Sequence, residues 1–171
     1  MKLQVFGKTR NAEGLTMVSD RIEQDVYIAA PVARVWEVMT EPRHVGMWFG
    51  VGEPAEIDLR PGGRIVFDHG EHGKLPAVIE KVHEPDCFSF RWAADDTGGR
   101  EPDAGNATLV EFTLEPEGEG TRLRVVESGF SEVKADPEAI DRRYTANKGG
   151  WRRALLSLTR YAAHEEYEGG G

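Results

Sequence analysis

The sequence predicts an α+β fold in which a curved, seven-stranded antiparallel sheet wraps around one long C-terminal helix. Strict two-residue alternation is the first observation behind it. Ile65 and Phe67 alternate with Arg64 and Asp68, and Phe88, Phe90 and Trp92 with Ser89 and Arg91. Val110, Phe112 and Leu114 alternate with Glu111, Thr113 and Glu115, and Leu123 and Val125 with Arg122 and Arg124. Period two with one polar face marks an antiparallel sheet packed on one side only. The second observation is a change of period between Asp136 and Glu166. At about 100° per residue, Tyr144, Asn147, Trp151, Ala154, Leu155, Leu158 and Ala162 fall on one stripe, with Arg142, Arg153 and Arg160 opposite. Such a helix covers the apolar face of the sheet and leaves a cavity between the two.

Each element follows in order. Residues 1–20 read as an N-terminal extension, in which Leu3–Phe6 suits an edge strand and Met17 an alternative start. Residues 21–166 form the domain, and residues 167–171 a glycine-rich flexible tail. Strand one covers Ile22–Ala29, with Val26 and Ile28 inward. Pro31 suits the first turn of a helix, whose buried face carries Val32, Val35, Trp36 and Met39. Glu41-Pro42 restarts a second short helix that ends near Trp48-Phe49-Gly50. Strands follow near 55–59, 64–69, 76–84, 87–93, 107–116 and 121–129. Pro61-Gly62-Gly63, Gly70 to Gly73 and Gly118 to Gly120 supply tight connections, and Asp95–Gly105 a mobile loop. Asp136 caps the last helix, with Pro137 in its first turn. Gly149-Gly150 interrupt good helix formers just before Trp151; a kink at the cavity mouth and close packing on the sheet are both open readings.

Composition bounds the function. A chain of 171 residues supports one core and is short for two. A net charge of −9 argues against a nucleic-acid partner, which needs a basic face. No apolar run approaches a membrane span, and the N-terminus lacks the apolar core of a secretory signal. Cys87 is the only cysteine, which points to a reducing compartment and a cytoplasmic location.

A set of ordered motifs adds to this. Ala30-Pro31 and Val35-Trp36 are followed by Thr40-Glu41-Pro42-Arg43-His44, Trp48-Phe49-Gly50 and Leu59-Arg60-Pro61-Gly62-Gly63-Arg64. Then come Val82 to Pro85 leading into Phe88-Ser89-Phe90-Arg91-Trp92, and Thr108-Leu109-Val110 to Leu114-Glu115-Pro116. Gly120-Thr121-Arg122-Leu123, Ser128-Gly129-Phe130 and Gly150-Trp151 with Leu155 and Leu158 complete the series. Over residues 22–165 the chain resembles the Hsp-90 ATPase activator homologue family of the START-like (SRPBCC, polyketide cyclase and lipid-transport) superfamily. The resemblance implies the helix-grip fold, in agreement with the sheet and helix read above. It leaves the activity open among carriers, receptors, cyclases and co-chaperones. The eukaryotic activator has a further N-terminal domain that contributes to chaperone binding. Only about 20 residues precede the shared region here, so a chaperone partner ranks behind a small-molecule one.

The expected function is binding of a small hydrophobic molecule, such as a lipid, sterol or aromatic polyketide, by a monomer or homodimer. The expected cavity lining is Met39, Trp48, Phe49, Phe67, Phe90, Trp92, Phe112, Tyr144, Trp151 and Leu155. Large apolar walls with few polar groups suit such a pocket, although each ring alone also suits plain core packing. His69 continues the phase of Ile65 and Phe67, and Glu127 that of Leu123 and Val125. The pair would orient a ligand or, in a cyclase or dehydratase, serve as acid and base. Glu127→Gln, which keeps the volume, is expected to leave the fold intact. No complete catalytic constellation, cofactor motif or metal site stands out. Asp68 to Gly73 reads as a solvated turn rather than a ligand set, and Cys87 shares the outer phase of Ser89 and Arg91.

Overall fold

The computed structural model describes residues 8–10, 16–18, 20–53, 55–94 and 100–169. A short antiparallel pair, β1 (Lys8–Arg10) and β2 (Thr16–Val18), precedes the main body. There the chain runs β3 (Arg21–Ile28), α1 (Val32–Thr40), α2 (Pro42–Trp48), β4 (Glu56–Ile57) and β5 (Arg64–Asp68). It continues with β6 (Lys74–His83), β7 (Cys87–Ala93), β8 (Ala107–Glu117), β9 (Gly120–Ser128) and α3 (Pro137–Gly169). The seven strands of the main sheet lie in the order β3-β9-β8-β7-β6-β5-β4, every pair antiparallel. Strands β4 to β9 are thus a meander, and α1 and α2 carry the chain from one edge of the sheet to the other. A register shift between Ile79 and Lys81 marks a bulge of the kind that bends a sheet. This is the α+β helix-grip architecture.

Local chemistry sets the breaks. Pro42 opens α2 at its first turn, and Glu41 before it is extended (φ −81°, ψ 131°), because a proline disfavours helical geometry in the residue it follows. Pro31 stands at the N-cap of α1 rather than inside its first turn. Strand β4 is shorter than the predicted 55–59, since Asp58 and Arg60 already belong to the next turn. The Arg60 N–H bonds to the Asp58 carbonyl and the Gly63 N–H to the Arg60 carbonyl. A β-carbon on Gly63 would lie 1.9 Å from the Asp58 oxygen, so only glycine closes this turn. Strand β5 stops at Asp68, whose Oδ1 accepts the Gly70 N–H at 3.0 Å and starts a 3-10 turn over Gly70–His72. His69 therefore sits just past the strand. Leu3–Phe6 and residues 95–99 of the predicted mobile loop lie outside the described residues.

The predicted inward apolar residues of β5, β7, β8 and β9 are buried, and Ser89 of the predicted outer phase is buried as well. Phe90, Trp92, Phe112 and Trp151 are all buried around one interior. Arg142, Arg153 and Arg160 lie exposed on α3. No helix among the described residues is long and apolar enough to cross a membrane.

Candidate functional site

Strand register brings three inward side chains side by side. Trp92 on β7 pairs with Thr108 on β8, and Glu127 on β9 pairs with Val110, which makes Thr108 its diagonal neighbour on the same face. Asn147 and Trp151, one helical turn apart on α3, reach the same point from the other side. Glu127 is fully buried, and four side chains bond to its carboxylate. Trp151 Nε1 donates to Oε1 at 2.8 Å, and Trp92 Nε1 donates to Oε2 at 2.9 Å. The Thr108 hydroxyl donates to Oε2 at 2.6 Å, and Asn147 Nδ2 spans both oxygens at 3.2 and 3.0 Å. An indole N–H can only donate, so both oxygens act as acceptors. A buried charge is tolerated when its lone pairs are filled in this way.

The two indoles held by Glu127 form part of a floor. Phe49 stacks on Trp151 with centroids 5.5 Å apart and planes 7° apart, and on Trp92 at 6.2 Å and 26°. Trp92 and Trp151 stack at 5.5 Å and 26°. Beyond these rings opens a cleft of about 570 Å³. Trp48 at the end of α2 and Phe49 to Val51 after it form one side, and His69 and Leu75 another. Residues 143–157 of α3 supply Arg143, Asn147, Gly150, Arg153, Ala154 and Ser157. The volume lies within the range of small-molecule sites, roughly 300–1,000 Å³.

The space directly beneath α3 is, by contrast, nearly filled. Only about 10 Å³ remains among Met39, Phe67, Phe90, Phe112 and their neighbours. Trp48, Phe49 and Trp151 border both this void and the cleft, and so form the wall between them. Of the residues expected to line one cavity, Trp48, Phe49, His69, Trp92 and Trp151 come together at the cleft. Met39, Phe67, Phe90 and Phe112 lie behind the wall, and Glu127 lies under the floor. Tyr144 and Leu155 do not join them. They line a separate groove against β3, where Tyr144 packs edge-on against Phe130 and donates its hydroxyl to the Arg21 carbonyl. His69 Nε2 lies 3.1 Å from the Phe49 carbonyl, a contact that ties the cleft's two loops together.

Several contributors were not foreseen, Thr108, Arg143 and Gly150 among them. Thr108 heads the inward row Val110-Phe112-Leu114 and could have been read from that phase. Arg143 precedes Asn147 and Trp151 at the i, i+4, i+8 spacing, which places it at the same helix edge. Its Nε is closed off from solvent and has no hydrogen-bond partner among the described residues. A donor in that state costs about 1–3 kcal/mol. Gly150 completes that wall.

The close-packing reading of Gly149-Gly150 does not describe the structure. Helix α3 runs through both positions, and a β-carbon on either would approach only the Arg153 guanidinium, at 3.5 and 4.0 Å. Arg153 lies back along the helix over both positions, at a distance where a β-carbon would make only ordinary contact. Gly150→Ala should therefore gain helix propensity without a clash, about 1 kcal/mol. A melting temperature raised by about 2–4 °C, with weaker ligand binding because the methyl takes cleft space, is the expected result. A lowered melting temperature would show that the backbone needs glycine there.

A second buried polar group lies between the helices. His44 is 1% exposed, and its Nδ1 is 2.6 Å from the Tyr161 hydroxyl. Burial, then the charges of Arg43 and Arg34, hold its pKa below the ordinary 6.5, with Glu37 and Glu41 opposing. The folded protein thus resists a proton that the unfolded chain accepts. Stability contributed above pH 6.5 is lost as the pH falls toward the lowered folded value. The urea midpoint should drop between about pH 7.5 and 5.5, and His44→Gln should flatten that slope. An unchanged slope in the variant would assign the effect elsewhere. Cys87 lies on the outer face, and burial pushes its thiol up, away from nucleophilic character.

The model of the family described as Activator of Hsp90 ATPase homolog 1-like protein matches residues 29–163. A search of curated proteins finds no match. Among solved structures, protein MLL2253 from Mesorhizobium loti is similar at 22% identity and a TM-score of 0.66, over 82% of this chain and 95% of that one. The Aha1 dimer from Colwellia psychrerythraea is similar at 18% and 0.65, over 84% and 96%. Both are likenesses of fold. DynU16, a putative protein in the dynemicin biosynthetic locus, is similar at 26% and 0.67, over 85% of this chain and 48% of that one.

Proposed function

Since the chain belongs to the Activator of Hsp90 ATPase homolog 1-like family, we propose that this helix-grip domain binds a small, largely apolar molecule without transforming it. The observation that carries the reading is the cleft of about 570 Å³ floored by the stacked rings of Phe49, Trp92 and Trp151. Flat apolar walls with a few polar groups at the rim are what such ligands need. The rigid floor is preorganised, since Glu127 holds both indoles by their N–H groups. Against an acid–base role for Glu127 with His69 stands the use of the carboxylate. Both its oxygens are occupied by protein donors, and it lies under the floor rather than in the cleft. A chaperone partner has only the family description behind it. A cytoplasmic location, expected from the lone Cys87, belongs to the same reading.

Thermal-shift screening against fatty acids, sterols and aromatic polyketides tests the proposal. A ligand that binds the folded state alone, at a hundredfold excess over Kd, stabilises it by about 2.7 kcal/mol. For a chain of this size that raises the melting temperature by roughly 5–10 °C. The expected result is a shift of this order with one class. No shift with any class, and no small molecule retained in native mass spectrometry, would overturn the reading.

A further inference from the structure

We propose that the cleft selects ligands that carry a carboxylate on a flat apolar body, with Arg143 and Arg153 as the anion-recognition pair. The inference rests on the ligand-binding reading above and narrows it to a chemical class. Its starting point is charge that has no counterpart. The chain is acidic, with a net charge of −9, and several of its arginines are taken up by carboxylates, while Arg43, Arg152 and Arg160 stand away from the cleft floor without an ion-pair partner among the described residues. Arg60, Arg64, Arg91, Arg122 and Arg124 each face one. Arg143 and Arg153 both border the cleft and have no ion-pair partner among the described residues.

Their placement is specific. Arg143 stands on the line Arg143-Asn147-Trp151, at the end of the aromatic floor, with its Nε shut away from water and without an acceptor. Arg153 lies back over Gly149-Gly150 toward the same wall. Two positive side chains on a lining that holds no carboxylate among the described residues favour an anion in the cleft. Glu127 does not serve as that anion. Its two oxygens already accept from Trp92, Thr108, Asn147 and Trp151, which fills the lone pairs of a carboxylate. A guanidinium fork matches a carboxylate in a planar, two-bond arrangement. The α3 residues on the wall belong to the middle of the helix, so no helix N-terminus adds the backbone N–H groups that favour phosphate. The stacked rings beside the arginines accept the flat body.

Matched acids and amides separate charge from shape. Naphthaleneacetate and indoleacetate would be titrated calorimetrically against their neutral amides, with naphthyl phosphate as a third anion. The proteins would be wild type, Arg143→Gln and Arg153→Gln. Wild type should prefer each acid over its amide by about tenfold, the worth of one charged hydrogen bond. That preference should weaken as salt is raised. Arg143→Gln should bring it close to parity, with the loss falling on the acid far more than on the amide; a melting temperature and amide binding that persist show that the cleft is still formed. Equal binding of acid and amide to wild type would overturn the anion inference and leave apolar binding standing. Tighter binding of naphthyl phosphate than of naphthaleneacetate would overturn the choice of carboxylate. Failure of every probe, amides included, would overturn both readings.

Discussion

Glu127→Gln should lower the stability by about 2–3 kcal/mol, although it preserves the shape and volume of the side chain. The reason lies in the direction of the hydrogen bonds. Trp92 and Trp151 offer an indole N–H to different oxygens of Glu127, and neither indole can accept. Whichever way the new amide turns, its NH2 group meets one of those N–H donors. Thr108 and Asn147 can rotate to accept; the indoles cannot. One buried donor is thus stranded, at about 1–3 kcal/mol, and the surviving bonds lose the strengthening that a charged acceptor gives. Relief of the buried charge offsets part of this. For a chain of this length the melting temperature should fall by roughly 5–10 °C. The sequence alone suggested that Gln would leave the fold undisturbed, because it showed an inward carboxylate and not the donors around it. Urea titration at an unchanged m-value measures the loss. Trp92→Phe or Trp151→Phe in the Gln background should recover part of it, since each removes one stranded donor, and a double-mutant cycle reads that coupling. A Gln variant as stable as wild type would mean that the donor cage does not hold Glu127 as described.

What was legible follows from periodicity, and what was not follows from register. The period of two placed Phe67, Phe90, Phe112 and Glu127 on the inner face correctly, because a strand has only two faces to choose between. The break between α1 and α2 could be read from Pro42 for an equally local reason. The meeting of Trp92, Thr108 and Glu127 depends on which residues of β7, β8 and β9 lie opposite each other, and the lengths of the connecting loops do not fix that. The helical stripe was too coarse in another way. At about 100° per residue, Asn147, Gly150 and Ala154 fall to one side of Trp151 and face the cleft. Lys148 and Leu155 fall to the other side and face β3. Tyr144 lies almost in line with Trp151 but two turns earlier, where it meets Phe130 instead of the floor. One stripe therefore serves two surfaces, and Trp151 divides them. The filled space beneath α3 was not legible at all. It depends on how seven large rings fit together, which is a property of volumes rather than of pattern.

That filled space and the cleft share one thin wall, and Phe49→Ala should open it. The Phe49 ring stacks on Trp151, meets Phe67 edge-on at 5.0 Å and meets His69 edge-on at 5.0 Å. It stands between the cleft and the small void lined by Met39, Phe67, Phe90 and Phe112. Removing a largely buried ring costs about 3–5 kcal/mol, and the partial exposure of Phe49 places this case at the lower end. The same change lengthens the cleft inward along apolar walls. A ligand that fits wild type should bind the variant more weakly, because it loses a stacking partner worth about 1 kcal/mol. A longer or wider one, such as a pyrene carboxylate in place of a naphthalene carboxylate, should gain. The expected signature is a reversed size preference in a destabilised protein. Leu158→Ala supplies the control, since Leu158 is fully buried on α3 and does not border the cleft. It should cost about 2–5 kcal/mol and leave the preference as it was. If both variants lose stability and neither changes the size preference, Phe49 is core packing alone, and the cleft ends where the wild-type floor ends.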